Sequence, residues 1–314
     1  MSLDELKKYA ASRKIPLGTV EKDYVLSVVL SQFSKSHHPS KLIFKGGTAI
    51  KKVYFPDTRF SVDLDFNFFD LSGDEVVNEV TKLFGRRSIL RVNFEEVKTE
   101  NLTEDKVLLR LKYKAQMNHS DSIRFDFVSE EPLLATPHRW TLRDDYDVSR
   151  RMTCEHLAAT GIRRDTLELQ YSCALGRMSG YPSTRIACLD CKMEAPRKKE
   201  MLASAFRVMS PEEITSEKIR ACLTRGLPRD LYDVWFLRSK GIKILTDMVI
   251  EKLRHFQEFR EAIPSLGDIR EQLKPMKQEW DRDLGDLVPL KTYPTFEEAL
   301  EQLTSGLKES DWKD

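Results

Sequence analysis

No apolar run in this chain approaches the roughly 18 residues that a membrane-spanning helix requires, so no membrane association is expected. Its five cysteines are few and odd in number for 314 residues. That argues against a disulfide framework and for a reducing compartment. Charge of one sign is missing as well. Lys and Arg total 51 against 50 Asp and Glu, a formal net charge of +1. No global basic field marks a nucleic-acid binder, and any such site has to be local. The opening residues, MSLDELKKYA, are charged and amphipathic, unlike a signal peptide. Internal repeats, low-complexity segments and sustained heptads are absent too. The expectation is a cytoplasmic protein.

Hydrophobic residues make up 40% of the chain and charged residues 32%, the balance of a soluble globular protein. A chain of this length can bury about three quarters of its unfolded surface and needs no staples. It has room for one large domain or two ordinary ones.

The stretch that organises the rest is KLIFKGGTAIKKVYFPDTRFSVDLDFNFFD, residues 41–70. The spacing predicts a strand at Leu42–Phe44, then Gly46–Gly47, then a short helix over Thr48–Tyr54 closed by Pro56. A helix that starts after a glycine pair offers free backbone N–H groups and a positive dipole end, which suits an anion. Only glycine lets a phosphate approach the backbone so closely. In the strand that follows, alternate residues share a face. Ser61, Asp63, Asp65 and Asn67 line one face, and Val62, Leu64, Phe66 and Phe68 form the core face. Two carboxylates placed together either hold a divalent cation or need a basic partner. No basic residue of the stretch is expected on their face.

Upstream, helices are expected over Ser2–Ala11, capped by Ser2 or Asp4, and from Thr19 through Phe33. His37 and His38 fall in a polar turn and read as exposed rather than as ligands. Downstream, a helix is expected at Asp74–Leu83 and strands at Leu90–Glu96, Lys106–Lys114 and Ser122–Ser129. In the last of these Ile123, Phe125 and Phe127 face the core, which leaves Asp126 on the opposite side. If that strand neighbours the Asp63–Asp65 strand, three carboxylates converge and their repulsion demands cations.

Residues 137–207 mix arginines (Arg139, Arg143, Arg150, Arg151, Arg163, Arg164, Arg177, Arg185) with Trp140, Tyr146, Tyr171 and Tyr181. The mixture suits a phosphate-backbone groove with stacking platforms, and it equally suits an ordinary charged surface. Cys188 and Cys191 form a C-x-x-C, but zinc needs two more ligands. Only Cys154, His156 and Cys173 are candidates, at irregular spacing, so the pair reads as thiols.

Ser210-Pro211-Glu212-Glu213 predicts a capping box opening a helix. On that helix Lys218 falls on the apolar stripe with Ile214, Ala221 and Cys222, so it must snorkel or meet an anion. Pro228 opens a second helix that ends at Gly241 and is apolar nearly all round. Asp230 and Asp233 sit within it, and a buried ion pair among Arg229, Asp233 and Lys218 is the structural reading. Helices are then expected at 244–258, 265–283 and 295–308, with a frayed tail from Lys308.

Four blocks of this chain together resemble the AbiEii/MenT family of nucleotidyltransferase toxins from type IV toxin–antitoxin and phage-defence systems. They are EKDYVL (21–26), FKGGTAIKKVYFPDTRFSVDLDF (44–66), IRFDFV (123–128) and EEITSEKIRACLTRGLPRDLYDVWFL (212–237). The likeness frames residues 20–238 and does not extend through 137–207 or the tail. The Gly47–Asp63 gap is longer than in nucleotidyltransferases at large but normal for this family. Val62 stands where the family usually carries an acidic residue.

The resemblance implies an α+β fold. A nucleotidyltransferase-fold mixed sheet flanked by helices would occupy residues 1–205, and a mainly helical C-terminal domain 206–314. It implies transfer of a nucleoside monophosphate from an NTP to an RNA, the tRNA 3′ end being the family's substrate, so that translation and growth stop. Asp63, Asp65 and Asp126 would hold Mg²⁺, or Mn²⁺ in its place. Gly46, Gly47, Thr48 and Ser61 would bind the phosphates. Lys218 would neutralise phosphate charge, with Asp233 orienting it or contacting the nucleotide. Arg225, Arg229 and Asp230 would support the site or face the RNA. A neighbouring AbiEi-like antitoxin is the implied partner. The competing readings are transfer to a protein or a small molecule, and a catalytically silent nucleotide-binding module.

Overall fold

A computed structural model of the chain describes residues 1–33, 36–129, 133–139, 146, 148, 185–187, 194–196, 207–289 and 293–312. The chain forms a mixed sheet with flanking helices, followed by a helical C-terminal region. The C-x-x-C at Cys188 and Cys191, its candidate partners, and most of the arginine–aromatic segment lie outside the described residues.

Two helices come first, α1 (Leu3–Arg13) and α2 (Leu17–Phe33). Ser2 and Glu5 close a reciprocal capping box on α1, satisfying two of its orphan donors. Strand β1 (Leu42–Lys45) leads straight into α3, a helical turn over Gly46–Ala49 that continues as a π-helix over Ile50–Tyr54. The π register shows in the Phe55 N–H, which donates to the Ile50 carbonyl at 2.7 Å. It sends two neighbouring lysines to separate destinations. Lys52 donates to buried Asp23 of α2 at 2.7 Å. Lys51 donates to the Pro56 carbonyl at 3.1 Å and lies over the Phe60 ring.

Strand β2 (Asp63–Phe68) follows, then α4 (Gly73–Phe84) and β3 (Ser88–Ile89). The meander β4 (Val92–Leu102), β5 (Lys106–Lys114) and β6 (Ser120–Val128) comes next. Then come β7 (His138–Arg139), a small separate pair β8 (Arg185–Ala187) and β9 (Glu194–Pro196), and β10 (Arg207–Val208). The eight-stranded main sheet has the order β3-β4-β5-β6-β2-β1-β10-β7. Strand β2 is antiparallel to β1 and parallel to β6, and β10 is parallel to β1.

The core face of this sheet is aromatic. Phe66 stacks on Phe127 with ring centroids 5.2 Å apart and lies 5.2 Å from Phe44. Phe33 of α2 packs against Phe66, Phe84 and Phe125. All six rings are buried. Burying each contributes about 1.5–3 kcal/mol, so α2 and α4 are held to this face by side chains of period two from the strands and period 3.6 from the helices. The alternation read along β5 is complete: Val107, Leu109, Leu111 and Tyr113 are all buried.

The C-terminal helices are α5 (Pro211–Arg225), α6 (Pro228–Ser239), α7 (Thr246–Arg254), α8 (Leu266–Leu273), α9 (Trp280–Leu284) and α10 (Phe296–Glu309). Three expectations change here. The predicted helix 265–283 is broken by a 3₁₀ turn over Lys274–Gln278, because Pro275 removes a backbone donor and crowds the preceding turn. The tail is not frayed through Trp312, which is buried and donates its indole N–H to the Pro264 carbonyl at 2.9 Å. The capping box at Ser210 is only half formed. Ser210 accepts from the Glu213 N–H, but the Glu213 carboxylate instead accepts from the backbone N–H groups of Leu134 and Ala135, both at 3.0 Å, and pairs with Lys252 at 2.9 Å.

No helix among the described residues is long and apolar enough to cross a membrane.

Candidate active site

The face of the sheet opposite the aromatic core gathers the carboxylates. Period two along β2 puts Asp63 and Asp65 on one side. The parallel pairing of β2 with β6 sets Asp65 in register with Asp126, and Asp63 with Arg124. Asp126 is therefore on an interior strand, flanked by β5 as well as β2. One of its oxygens, Oδ1, is buried and has no hydrogen-bond partner. The other lies 3.5 Å from the half-exposed Lys106 ammonium. Burial pushes the Asp65 carboxyl up to about 6, and repulsion from Asp63 and Asp126 adds to the rise, while the Lys218 and Lys45 charges oppose it.

The antiparallel partner of β2 corrects one expectation. Lys45, the last residue of β1, stands opposite Asp65 in register, and directly paired residues share a face. A basic residue of the 41–70 stretch does reach the aspartate face. It is paired with Glu217 of α5 at 3.6 Å.

Gly46 and Gly47 lie at the turn from β1 into α3. Gly46 has φ +76°, and a Cβ there would overlap the Asp65 carboxylate. A Cβ on Gly47 would stand 2.6 Å from an Arg59 nitrogen and 3.3 Å from Ser61 Oγ. The glycine pair is thus packed directly against the aspartate strand, with the free N–H groups of the helix start beside the carboxylates. Thr48 is fully buried, and its hydroxyl donates to the Asp63 carbonyl at 2.5 Å. Its side chain therefore fixes the turn to β2. Ser61 is buried next to Gly47.

The cationic side comes from α5 and α6. Lys218 points inward, 2.9 Å from Asp230 and 2.9 Å from Asp233. Arg225 donates to both oxygens of Asp230 at 2.8 Å. The Lys218 and Arg225 charges hold Asp230 far below the usual carboxylate range against the opposing effect of burial. The guanidinium that pairs with Asp233 is not that of Arg229, as the sequence reading had it. It is Arg59, whose Nε and Nη2 donate to the two Asp233 oxygens at 2.7 Å each. Arg229 is half-buried on α6. Sequence reasoning passed over Arg59, yet a signal was present: Arg59, Ser61, Asp63 and Asp65 share one period-two spacing. His37 is exposed, 3.4 Å from Glu79.

Among the described residues, no group of three or more His, Cys, Asp or Glu side chains is placed to enclose a metal ion by itself. Mg²⁺ in phosphate chemistry asks for less, commonly one or two carboxylates with the remaining positions filled by water and substrate phosphate oxygens. Asp65, raised chiefly by burial and further by its acidic neighbours, and Asp126, with a buried orphan oxygen, suit that smaller role.

The sequence model of the nucleotidyl transferase AbiEii toxin family, type IV toxin–antitoxin system, matches residues 28–302. This chain belongs to the AbiEii toxin family. The match takes in β1, the glycine pair, all three aspartates and the Lys218 cluster, so both halves of the site lie within the family's span. Among solved structures, the protein is similar to JHP933 from Helicobacter pylori at 13% identity and a TM-score of 0.45, covering 94% of this chain and 93% of that one. A putative nucleotidyltransferase from H. pylori is similar at 14% identity and the same TM-score, covering 94% of this chain and 96% of that one. No curated protein matches.

Proposed function

We propose that this AbiEii-family protein is a metal-dependent nucleotidyltransferase. It moves a nucleoside monophosphate from an NTP to an RNA acceptor, the tRNA 3′ end, and so blocks translation. The observation that carries the transfer chemistry is the register pairing of Asp65 with Asp126 beside the Gly46–Gly47 helix start. It sets two carboxylates level with each other and directly against the glycine turn.

Asp65 and Asp126, with Asp63 alongside, would hold Mg²⁺ or Mn²⁺, which when bound neutralises triphosphate charge and favours in-line displacement. The backbone N–H groups at Gly46 and Gly47 receive the terminal phosphates, with Ser61 next to them. Lys218 brings the cation of α5 to the phosphate chain, and Asp233 holds that lysine in place. The acceptor hydroxyl gives its proton to Asp126, and its oxygen bonds to the α-phosphorus. The bond from that phosphorus to the bridging oxygen then breaks, and pyrophosphate leaves. Arg225 and Asp230 brace Lys218 from the other side, and Arg229 stands one residue from Asp230 at the start of α6. Membership of a type IV toxin–antitoxin family supports the toxin reading, and with it we propose an RNA acceptor and an AbiEi-like antitoxin as partners.

The test is to incubate the purified protein with Mg²⁺ or Mn²⁺, each labelled NTP in turn, and either total tRNA or a protein lysate. Label on the tRNA 3′ end supports the proposal. Label on protein moves the acceptor to a protein hydroxyl, and no label on any acceptor leaves a nucleotide-binding module without transfer.

A further inference from the structure

A line of cations leads across the open face of the sheet to the aspartates. Strand pairing sets Lys98 of β4 level with Arg110 of β5, Arg110 with Arg124 of β6, and Arg124 with Asp63 of β2. Directly paired residues share a face, so these four side chains form one rung that ends at the carboxylates. The residues on either side of them along β5 and β6, Leu109, Leu111, Ile123 and Phe125, are buried in the core. The rung is therefore on the solvent side. Lys98 and Arg124 are exposed, and Arg110 is half-exposed.

Acid is scarce along this rung. Arg110 pairs with Glu100 at 2.5 Å and donates to Ser122 Oγ at 3.2 Å. That bond from Arg110, with the Arg124 and Lys98 charges adding to it, holds the Glu100 carboxyl below its usual range. The three lysines of β5 each have a carboxylate of their own: Lys106 has Asp126, Lys112 has Glu96 and Lys114 has Glu95. Arg124 and Lys98 differ. Among the described residues neither side chain makes an ion pair or hydrogen bond, and Arg124 stays beyond ion-pair distance of Asp63 although the two are level. An exposed cation costs little unpaired; what singles out this row is where it leads.

In-line displacement fixes the direction of approach. The attacking oxygen and the leaving pyrophosphate lie on opposite sides of the α-phosphorus. The glycine turn follows β1, on one side of β2, and α5 meets that same side through the Lys45–Glu217 pair. Arg124 and Asp126 belong to β6, on the other side. With the pyrophosphate end of the NTP at the glycine turn and Lys218, the acceptor hydroxyl arrives over β6. The chain it belongs to then runs outward over Arg124, Arg110 and Lys98.

We propose that this rung binds the phosphate backbone of the acceptor RNA, with Arg124 holding a phosphate next to the reacting 3′ end. This rests on the RNA reading of the acceptor given above. Cations repeated at the strand spacing of about 4.8 Å present charge to a polyanion, and the guanidinium fork of Arg124 matches a phosphate bidentately.

The experiment uses the full chain and two readouts. One is label transfer as a function of total tRNA and of NTP concentration. The other is affinity for fluorescently labelled total tRNA between about 50 and 200 mM salt. Arg124→Gln should raise the KM for tRNA about tenfold, the worth of one hydrogen bond to a charged group, and leave the KM for the NTP unchanged. Its slope of log affinity against log salt should be shallower by about 0.7–0.9, for one phosphate contact fewer. Arg124→Gln/Lys98→Gln should lose about twice that, and Arg124→Lys, which keeps the charge, should keep the wild-type slope. Circular dichroism melts check the fold of each variant. Should Arg124→Gln not fold, Lys98→Gln carries the slope measurement, with a loss of about one contact expected. A folded Arg124→Gln protein with the wild-type tRNA KM and salt slope overturns the inference. So does one that loses NTP affinity instead, which would put Arg124 on the nucleotide side. A wild-type protein that binds an NTP analogue but labels no RNA removes the RNA reading and this inference together, whereas wild-type labelling of RNA with an unaffected Arg124→Gln variant removes this inference alone.

Discussion

Gly46 and Asp65 share one volume: the carboxylate of Asp65 fills the place where any side chain at position 46 would begin. With φ at +76° the position is also in the left-handed region, which costs a non-glycine residue about 1–2 kcal/mol. Gly46→Ala should therefore destabilise the fold by about 2 kcal/mol or more and push Asp65 out of line with Asp126. The check is a urea unfolding curve together with Mg²⁺-dependent nucleotide binding. A variant that unfolds and binds like wild type would show that the contact carries no constraint.

Asp65 gives a pH dependence with a definite sign. An unperturbed aspartate titrates near 3.9, and in the fold this one is raised to about 6. The fold thus favours its neutral form. The stability it contributes is complete below about pH 4 and is lost as pH rises through about 6. In the absence of divalent cations, Asp65→Asn should raise the melting temperature relative to wild type at pH 8 and leave it nearly unchanged at pH 4. Added Mg²⁺ should stabilise the wild type at pH 8 and do little near pH 4. Thermal unfolding at the two pH values, with and without Mg²⁺, reads both effects. Equal responses at both would sink the assignment of cation binding to Asp65.

Asp126→Asn separates chemistry from architecture. Its buried Oδ1 has no hydrogen-bond partner to lose, and removing its charge relieves Asp65. Stability should change by less than about 1 kcal/mol, while turnover falls by about 10²–10⁴ if the residue takes the acceptor's proton. Label-transfer rates with the substrate identified by the incorporation assay decide the matter. Full turnover in a folded variant would move the proton acceptor elsewhere.

Glu213 holds three groups at once: the Leu134 and Ala135 N–H groups and the Lys252 ammonium. Lys252 is buried and keeps only its 3.1 Å contact to Glu217 among these carboxylates when Glu213 is gone. Glu213→Ala should cost about 3 kcal/mol, the usual penalty for breaking a buried ion pair from one side. It should also loosen the 133–135 loop that follows β6. Urea unfolding gives the first quantity and hydrogen exchange at Leu134 and Ala135 the second.

Much of the candidate site could be read along the chain because its rules are local. Period two placed Asp63 and Asp65 on one face, and the apolar stripe of α5 turned Lys218 inward. What stayed hidden depends on pairing between distant segments. That Asp126 stands level with Asp65 follows from a parallel pairing of β2 and β6, and that Lys45 faces Asp65 follows from the β1–β2 register. Neither register is written in either strand alone. Arg59 was missed for a related reason: it precedes the strand, and its partner Asp233 lies 174 residues away. Glu213 had the sequence of a capping box but found stronger demand from a loop and a lysine that only tertiary packing delivers. The family-wide blocks cover residues on both sides of these gaps, which is why resemblance located the site sooner than the physics of any single segment.

Strand β10, the parallel neighbour of β1, is contributed by residues 207 and 208, and the cations over the carboxylates lie at 218, 225 and later. A ribosome releases this chain from its N-terminus, so the three aspartates, the glycine turn, Lys45 and Arg59 emerge long before the lysine of α5 and the carboxylates of α6. Until residue 233 is clear of the tunnel there is no carboxylate to hold Arg59, and Lys218 has only Asp230 of its two aspartates. The cluster that joins Arg59 to Lys218 cannot close in a fragment that stops short of α6, so the order of synthesis completes this part of the fold last.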